Sequence, residues 1–202
     1  MNHSDRPIIV KARISKKHWI DAAIKVLVNK SIEHVRVEPL ADSLGVTKGS
    51  FYWHFKDRNA LLEAILATWV EHSCRAVTEQ LEADRAEPEA RLQQLLEGSQ
   101  PWGGEPSSTE VELAIRAWAR RSALARQAVD QVDETRLASL SMTLQALGVD
   151  ATDASIRSYM IYACVQSLSH IKAQSAAGTA DFSRSCLNIL LHKGAVEKPR
   201  HE

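Results

Sequence analysis

The sequence predicts an all-α protein of about nine helices: a three-helix N-terminal domain built on a helix-turn-helix, then a larger helical domain. Three observations carry this expectation. Apolar residues recur at three- and four-residue spacing along most of the chain, and no stretch competes with the two-residue alternation of a strand. Start and stop signals fall between those stripes. Ser15, Thr47 and Asp57 can cap helices, and Gly45, Gly98 and Gly148 can end them. Charge also divides the chain, although the total is zero. Residues 1–58 hold 11 Lys and Arg against 6 Asp and Glu, while residues 59–202 hold 14 against 19.

Taken in order, residues 1–14 carry Arg6, Lys11 and Arg13, as either a solvated tail or an arm that reaches phosphate. Trp19, Ile20, Ala23, Ile24, Val26 and Leu27 form the apolar face of a first helix after Ser15. Leu40, Ala41 and Leu44 give the next helix its inner face, and Pro39 is tolerated there only within the first turn. Gly45 supplies a left-handed turn, Val46 plugs the corner, and Thr47 caps a third helix running to Phe55. Phe51 and Phe55 lie four residues apart and pack inward, which leaves Lys48, Gly49, Ser50 and Tyr52 facing out.

Asp57 caps a fourth helix, with Leu61, Leu62, Ile65, Leu66, Trp69, Val70 and Val77 on one face. It should reach about Ala83, roughly 39 Å of helix. Pro88 to Gly98 reads as a further helix, and residues 98–108 as a long loop containing Trp102. Thr109 and Glu112 have capping-box spacing, ahead of Val111, Ala114, Ile115 and Trp118. Val129, Val132, Arg136, Leu140, Leu144 and Leu147 mark another helix, ended by Gly148. Asp150 or Thr152 starts the next, whose SYMIYACVQSL segment is apolar nearly all round and so calls for burial on more than one side. Thr179 to Lys193 is the last helix.

The stretch LADSLGVTKGSFYWHF, residues 40–55, combines the Gly turn, the Thr cap and an aromatic-His ending. With WIDAA before it and FKDRNALLEAI after it, this stretch resembles the tetracycline-repressor (TetR) family of transcriptional regulators, from about Trp19 to Leu66. The resemblance implies that Lys48, Gly49 and Ser50 face base edges in the major groove, with Lys48 suited to guanine O6 and N7. It implies that Thr47, Tyr52, Trp53, His54 and Lys56 fix position on the phosphate backbone. Trp53 has a second reading, packing against the first helix. Two positions depart from the family pattern. Ser31 stands where a helix-ending Gly is usual, and Arg36 where a Thr or Ser cap usually touches phosphate. The family also implies a homodimer on a near-palindromic double-stranded operator, paired through the last two helices, residues 152–173 and 180–193.

On this reading residues 1–58 form the DNA-binding domain and residues 59–202 the ligand-binding and dimerisation domain. Trp69, His72, Trp118, Arg121, Met142, Tyr159 and Tyr162 are the candidates for an aromatic-walled small-molecule pocket. The alternative is a helix-turn-helix protein controlled by a partner protein, without a small-molecule ligand. No phosphate loop, nucleophile elbow or paired-carboxylate motif is present, so no enzyme and no cofactor are expected. Cys74, Cys164 and Cys186, and likewise His72, His170 and His192, have no metal-ligand spacing. The scattered cysteines, a first segment whose IIV is too short for a signal core, and the lack of any long apolar run predict a cytoplasmic protein away from the membrane.

Overall fold

The computed structural model describes residues 14–82, 106–168 and 189, and every regular element among them is helical. We number the helices α1 (Lys16–Asn29), α2 (Val37–Ser43), α3 (Lys48–Phe51), α4 (Arg58–Glu82), α5 (Ser108–Ala119), α6 (Ala123–Ala146) and α7 (Ala151–Leu168). A 3-10 turn, Ile32–His34, lies between α1 and α2. The helices expected at 88–98 and 179–193, and the loop at 98–105, lie outside the described residues, Ile189 excepted. The chain divides by packing into two compact units, Met1–Leu66 and Ala67–Glu202. The charge division at residue 58 falls nearby, at the start of α4.

In the first unit, α1 begins at Ser15. The backbone N–H of Ser15 donates to Nδ1 of His18 at 3.0 Å, so an imidazole does what a Glu usually does in a capping box. Trp19, Ile20, Ala23, Ile24 and Leu27 are buried as the spacing predicted, with Val26 at the margin. The α1–α2 connection is reshaped around Ser31. Its φ is 178°, extended rather than left-handed, and its hydroxyl lies 2.9 Å from Nδ1 of His34. No residue without a glycine's freedom is therefore forced to positive φ there.

Helix α2 starts at Arg36, which provides no side-chain cap; its Nε reaches back to the Glu33 carbonyl at 3.3 Å. Pro39 falls in the first turn, where its missing N–H costs nothing. The end of α2 is a Schellman turn. Gly45 has φ 66°, its N–H donates to Asp42 O (3.1 Å), and the Val46 N–H donates to Ala41 O (3.0 Å). That closure turns the chain sharply into Thr47 and α3. Leu40, Ala41, Phe51 and Phe55 sit in the core with Trp19; the Phe51 ring lies edge-on to Trp19 at 5.2 Å and stacked on Phe55 at 5.3 Å.

Helix α4 is capped by Asp57, whose Oδ1 accepts from the Ala60 N–H at 2.9 Å. It is continuous for 25 residues. In the second unit, α5 begins two residues earlier than the spacing suggested. The capping box is Ser107 with Glu110: Glu110 Oε2 accepts from the Ser107 N–H at 2.8 Å, and Ser107 Oγ from the Glu110 N–H at 3.3 Å. Thr109 and Glu112 have the same spacing, but Glu112 is drawn inward by two arginines described below, so it cannot serve as the cap. Helix α6 starts at Ser122, well before Val129, and ends at Gly148 in a second Schellman turn with φ 83°. Asp150 caps α7, accepting from the Thr152 N–H at 2.9 Å. Leu140 and Leu144 of α6 pack with Ala154 and Ile161 of α7.

Candidate nucleic-acid interface

The helix-turn-helix presents one chemically mixed surface. Phe51 and Phe55 fix α3 and the turn after it to the core, so the remaining side chains of residues 47–56 are directed away. Thr47, Lys48, Gly49 and Lys56 are exposed, and Ser50 is half-buried. Tyr52 is 54% and Trp53 88% exposed. The packing of Trp53 against α1 that the sequence left open is therefore not what the fold adopts. Thr47 begins α3 through its backbone, with no capping hydrogen bond from its hydroxyl. Helix α3 itself is shorter than the sequence suggested. It is helical to Phe51 and continues as turns, with the Phe55 N–H still donating to Phe51 O at 3.0 Å.

Three of the expected contact residues have structural occupations of their own. Lys48 forms an ion pair with Glu38, the second residue of α2. The Glu38 carboxylate accepts a hydrogen bond from the ammonium and is held below the usual carboxylate range by it, while Lys48 is raised. His54 Nε2 donates to the Ile14 carbonyl at 2.9 Å and so ties the chain ahead of α1 to the end of the recognition segment. The Tyr52 ring leans edge-on against Phe51 at 5.3 Å, which orients a phenol that solvent otherwise surrounds. Gly49 has room: a Cβ built there meets only Thr47 Oγ1, at an ordinary 3.7 Å. Among the described residues, nothing requires a glycine at that position.

Two residues of this unit escaped the sequence reading. Glu38 is one. The other is Arg58, whose guanidinium donates to Val35 O and Ile32 O, both at 2.6 Å, and so fastens the start of α4 to the α1–α2 connection. A cation at the first residue of a helix opposes the helix dipole, and that was the signal that Arg58 must be held elsewhere.

The ligand candidates of the second unit differ in exposure. Trp69 and Trp118 are buried, and His72 lies 3.5 Å from the Ser108 hydroxyl. Arg121, Met142 and Tyr159 are exposed. Tyr162 belongs to a polar cluster joining α5, α6 and α7. Its hydroxyl donates to Asp133 Oδ1 at 2.6 Å and receives Arg116 and Gln166, each at 2.8 Å. Arg116 reaches Glu112 at 2.9 Å and Asp133 at 2.5 Å, and Arg136 reaches Glu112 at 2.9 Å. Burial pushes the Glu112 carboxyl up, but Arg136, Gln166 and Arg116 outweigh it and hold the group below its ordinary value. Burial pushes the Tyr162 phenol up, which keeps it protonated as a donor to Asp133. Two guanidiniums and two carboxylates balance, so the cluster is neutral and internally satisfied. Its sequence signal was the repeated spacing of Glu112 with Arg116 and Tyr162 with Gln166, four apart on their helices.

Among the described residues, no helix is long and apolar enough to cross a membrane, and no group of His, Cys, Asp and Glu is placed to hold a metal ion.

Residues 20–65 match the sequence profile described as bacterial regulatory proteins, tetR family. The chain is similar to the uncharacterised HTH-type transcriptional regulator TtgW of Pseudomonas putida, at 33% identity over 63 residues, covering 31% of this chain and 47% of that protein. It is similar to the tetracycline repressor protein class D of Escherichia coli at 37% over 54 residues, covering 27% and 25% of the two chains. The chain thus spans less than half the length of these curated relatives. Solved structures extend the likeness along the chain. A transcriptional regulator from Saccharomonospora viridis, in complex with choline, has a TM-score of 0.70 at 18% identity, covering 89% of this chain and 96% of that one. The tetR-family protein SCO1917 from Streptomyces coelicolor A3 has a TM-score of 0.62 at 25% identity, covering 89% and 98%. Residues 20–65 thus carry the segment that the tetR-family profile describes, within a fold shared with solved regulators over most of the chain.

Proposed function

We infer that the chain is a sequence-specific DNA-binding transcriptional regulator, a repressor that a small molecule releases from its operator. It works in the cytoplasm, where its DNA is, as a homodimer on a near-palindromic site. Residues 1–58 carry the DNA contacts, and residues 59–202 take the ligand and pair the subunits. The observation that carries this reading is the exposure of Thr47, Lys48, Gly49, Tyr52 and Trp53 on a segment whose angle is fixed by the buried Phe51 and Phe55. Tyr52 and Trp53 hold large aromatic surfaces in water beside Lys48 and Lys56. On DNA they gain partners, because phenol, indole and ammonium groups suit phosphate and sugar. Relatives sharing this segment are named as transcriptional regulators and as a tetracycline repressor, which supports the same reading.

The test is selection of bound duplexes from a random pool, followed by titration of the recovered site at two salt concentrations. Affinity should fall on the order of 10³-fold between 50 and 200 mM salt, as several phosphate contacts release their counterions. Tyr52→Ala should weaken binding to every sequence, whereas Lys48→Ala should also relax base preference. A purified protein that enriches no duplex at low salt would sink the proposal.

A further inference from the structure

The DNA-facing surface contains an anomaly. The first unit carries a positive excess, and its recognition segment would meet a polyanion. Yet a carboxylate, Glu38, stands on α2 at this surface, exposed and paired with Lys48 across the turn. Among the described residues, this is the only ion pair that links α2 to α3. Nothing in the interior needs it, since both side chains are more than half exposed. An exposed pair of this kind adds little to folding. Its cost, however, falls on DNA binding, because an anion beside the duplex repels phosphate.

We propose that Glu38 is a specificity-determining residue: it holds Lys48 as an oriented donor at the base-facing end of α3 and penalises duplexes that Lys48 cannot read. This rests on the DNA-binding reading above. An ammonium has three donors. One can stay on Glu38 while two remain for guanine O6 and N7, the pair of acceptors that a lysine suits in the major groove. Without Glu38, the flexible side chain of Lys48 is released. It can then settle on the nearest phosphate of any duplex, which adds affinity without information. Glu38 therefore trades general affinity for discrimination. A residue that merely stabilised the fold would change binding to all duplexes by one factor.

The experiment compares wild type, Glu38→Gln, Glu38→Ala, Lys48→Ala and the double variant Glu38→Gln with Lys48→Ala. Each is titrated at fixed salt against the selected duplex and a scrambled duplex of equal length and composition. Circular dichroism and urea denaturation accompany each titration. Glu38→Gln and Glu38→Ala should tighten binding to the scrambled duplex by about fivefold, one water-screened charge interaction at contact distance. Binding to the selected duplex should change less, so the ratio of affinities falls. In the Lys48→Ala background, Glu38→Gln should leave that ratio unchanged. Equal factors on both duplexes, or a fall in ratio that persists without Lys48, would overturn the role assigned to Glu38. A wild type that prefers no duplex would instead overturn the DNA-binding reading, and this inference with it.

Discussion

At the scale of single residues, stability and function separate most cleanly at Gly49. A glycine inside a helix costs backbone entropy, and a Cβ here meets no obstacle among the described residues. Gly49→Ala should therefore stabilise the protein by about 0.4–1 kcal/mol in urea unfolding. If a base edge approaches the backbone at this position, the same substitution should weaken binding to the selected duplex. A variant that gains stability and keeps full affinity would remove Gly49 from the interface. Glu112 supplies a second residue-scale test. Its folded-state pKa lies below the ordinary value, so it contributes stability that is complete above the unfolded pKa of about 4.3 and is lost as pH falls through the folded one. Glu112→Gln should flatten that acid limb while lowering stability at pH 7, because Arg136 loses its carboxylate. Such residues were the least legible in the sequence. Arg136 was expected on an apolar stripe, and Glu112 as a helix cap. Which of two equivalent capping boxes forms depends on where the arginines of other helices lie, and that is tertiary information.

At the scale of elements, the sequence was most informative where geometry is local. The Schellman turn at Gly45, the caps at Ser15 and Asp57, and the burial of Phe51 and Phe55 each follow from residues within five positions of one another. Helix starts that depend on a serine among many, as at Ser122, were harder to place. The face of α7 shows a different limit. The sequence said that SYMIYACVQSL is too apolar for one buried side, but not which side is left over. In the single chain, Ala154, Ser158 and Ile161 turn inward, while Ile156, Tyr159 and Met160 stay exposed, Tyr159 at 67%. Three adjoining apolar side chains in water are the expected seat of a second copy. Replacing Tyr159 and Met160 together with Glu should give a monomer by sedimentation at micromolar concentration, with secondary structure intact and affinity for a two-half-site duplex sharply reduced. Sedimentation of that variant as a dimer would move the interface elsewhere.

At the scale of the whole molecule, the proposed function asks how a small molecule taken by residues 59–202 would alter DNA binding by residues 1–58. The backbone link between the units is α4, helical without interruption from Arg58 to Glu82, and Arg58 is fastened to the α1–α2 connection. Trp69 and His72 lie further along the same helix. A ligand that favours the DNA-incompetent state by a coupling of about 1–3 kcal/mol should cut DNA affinity some 5- to 150-fold, and DNA should weaken ligand binding equally. Tryptophan fluorescence and duplex titration would check both halves of that reciprocity. Trp69→Ala should blunt the ligand response without altering the duplex preference. A ligand screen in which affinity for the selected duplex never changes would favour control by a partner protein. The exposed indole of Trp53 has a colloidal consequence as well. The free protein carries no formal net charge near its pI of about 7.1, so at neutral pH nothing keeps copies apart while bare aromatics face the solvent. Solubility should be lowest there and should rise when operator duplex is added. The nucleic acid would cover the aromatics and lend the complex its own charge, acting as the protein's solubiliser as well as its target.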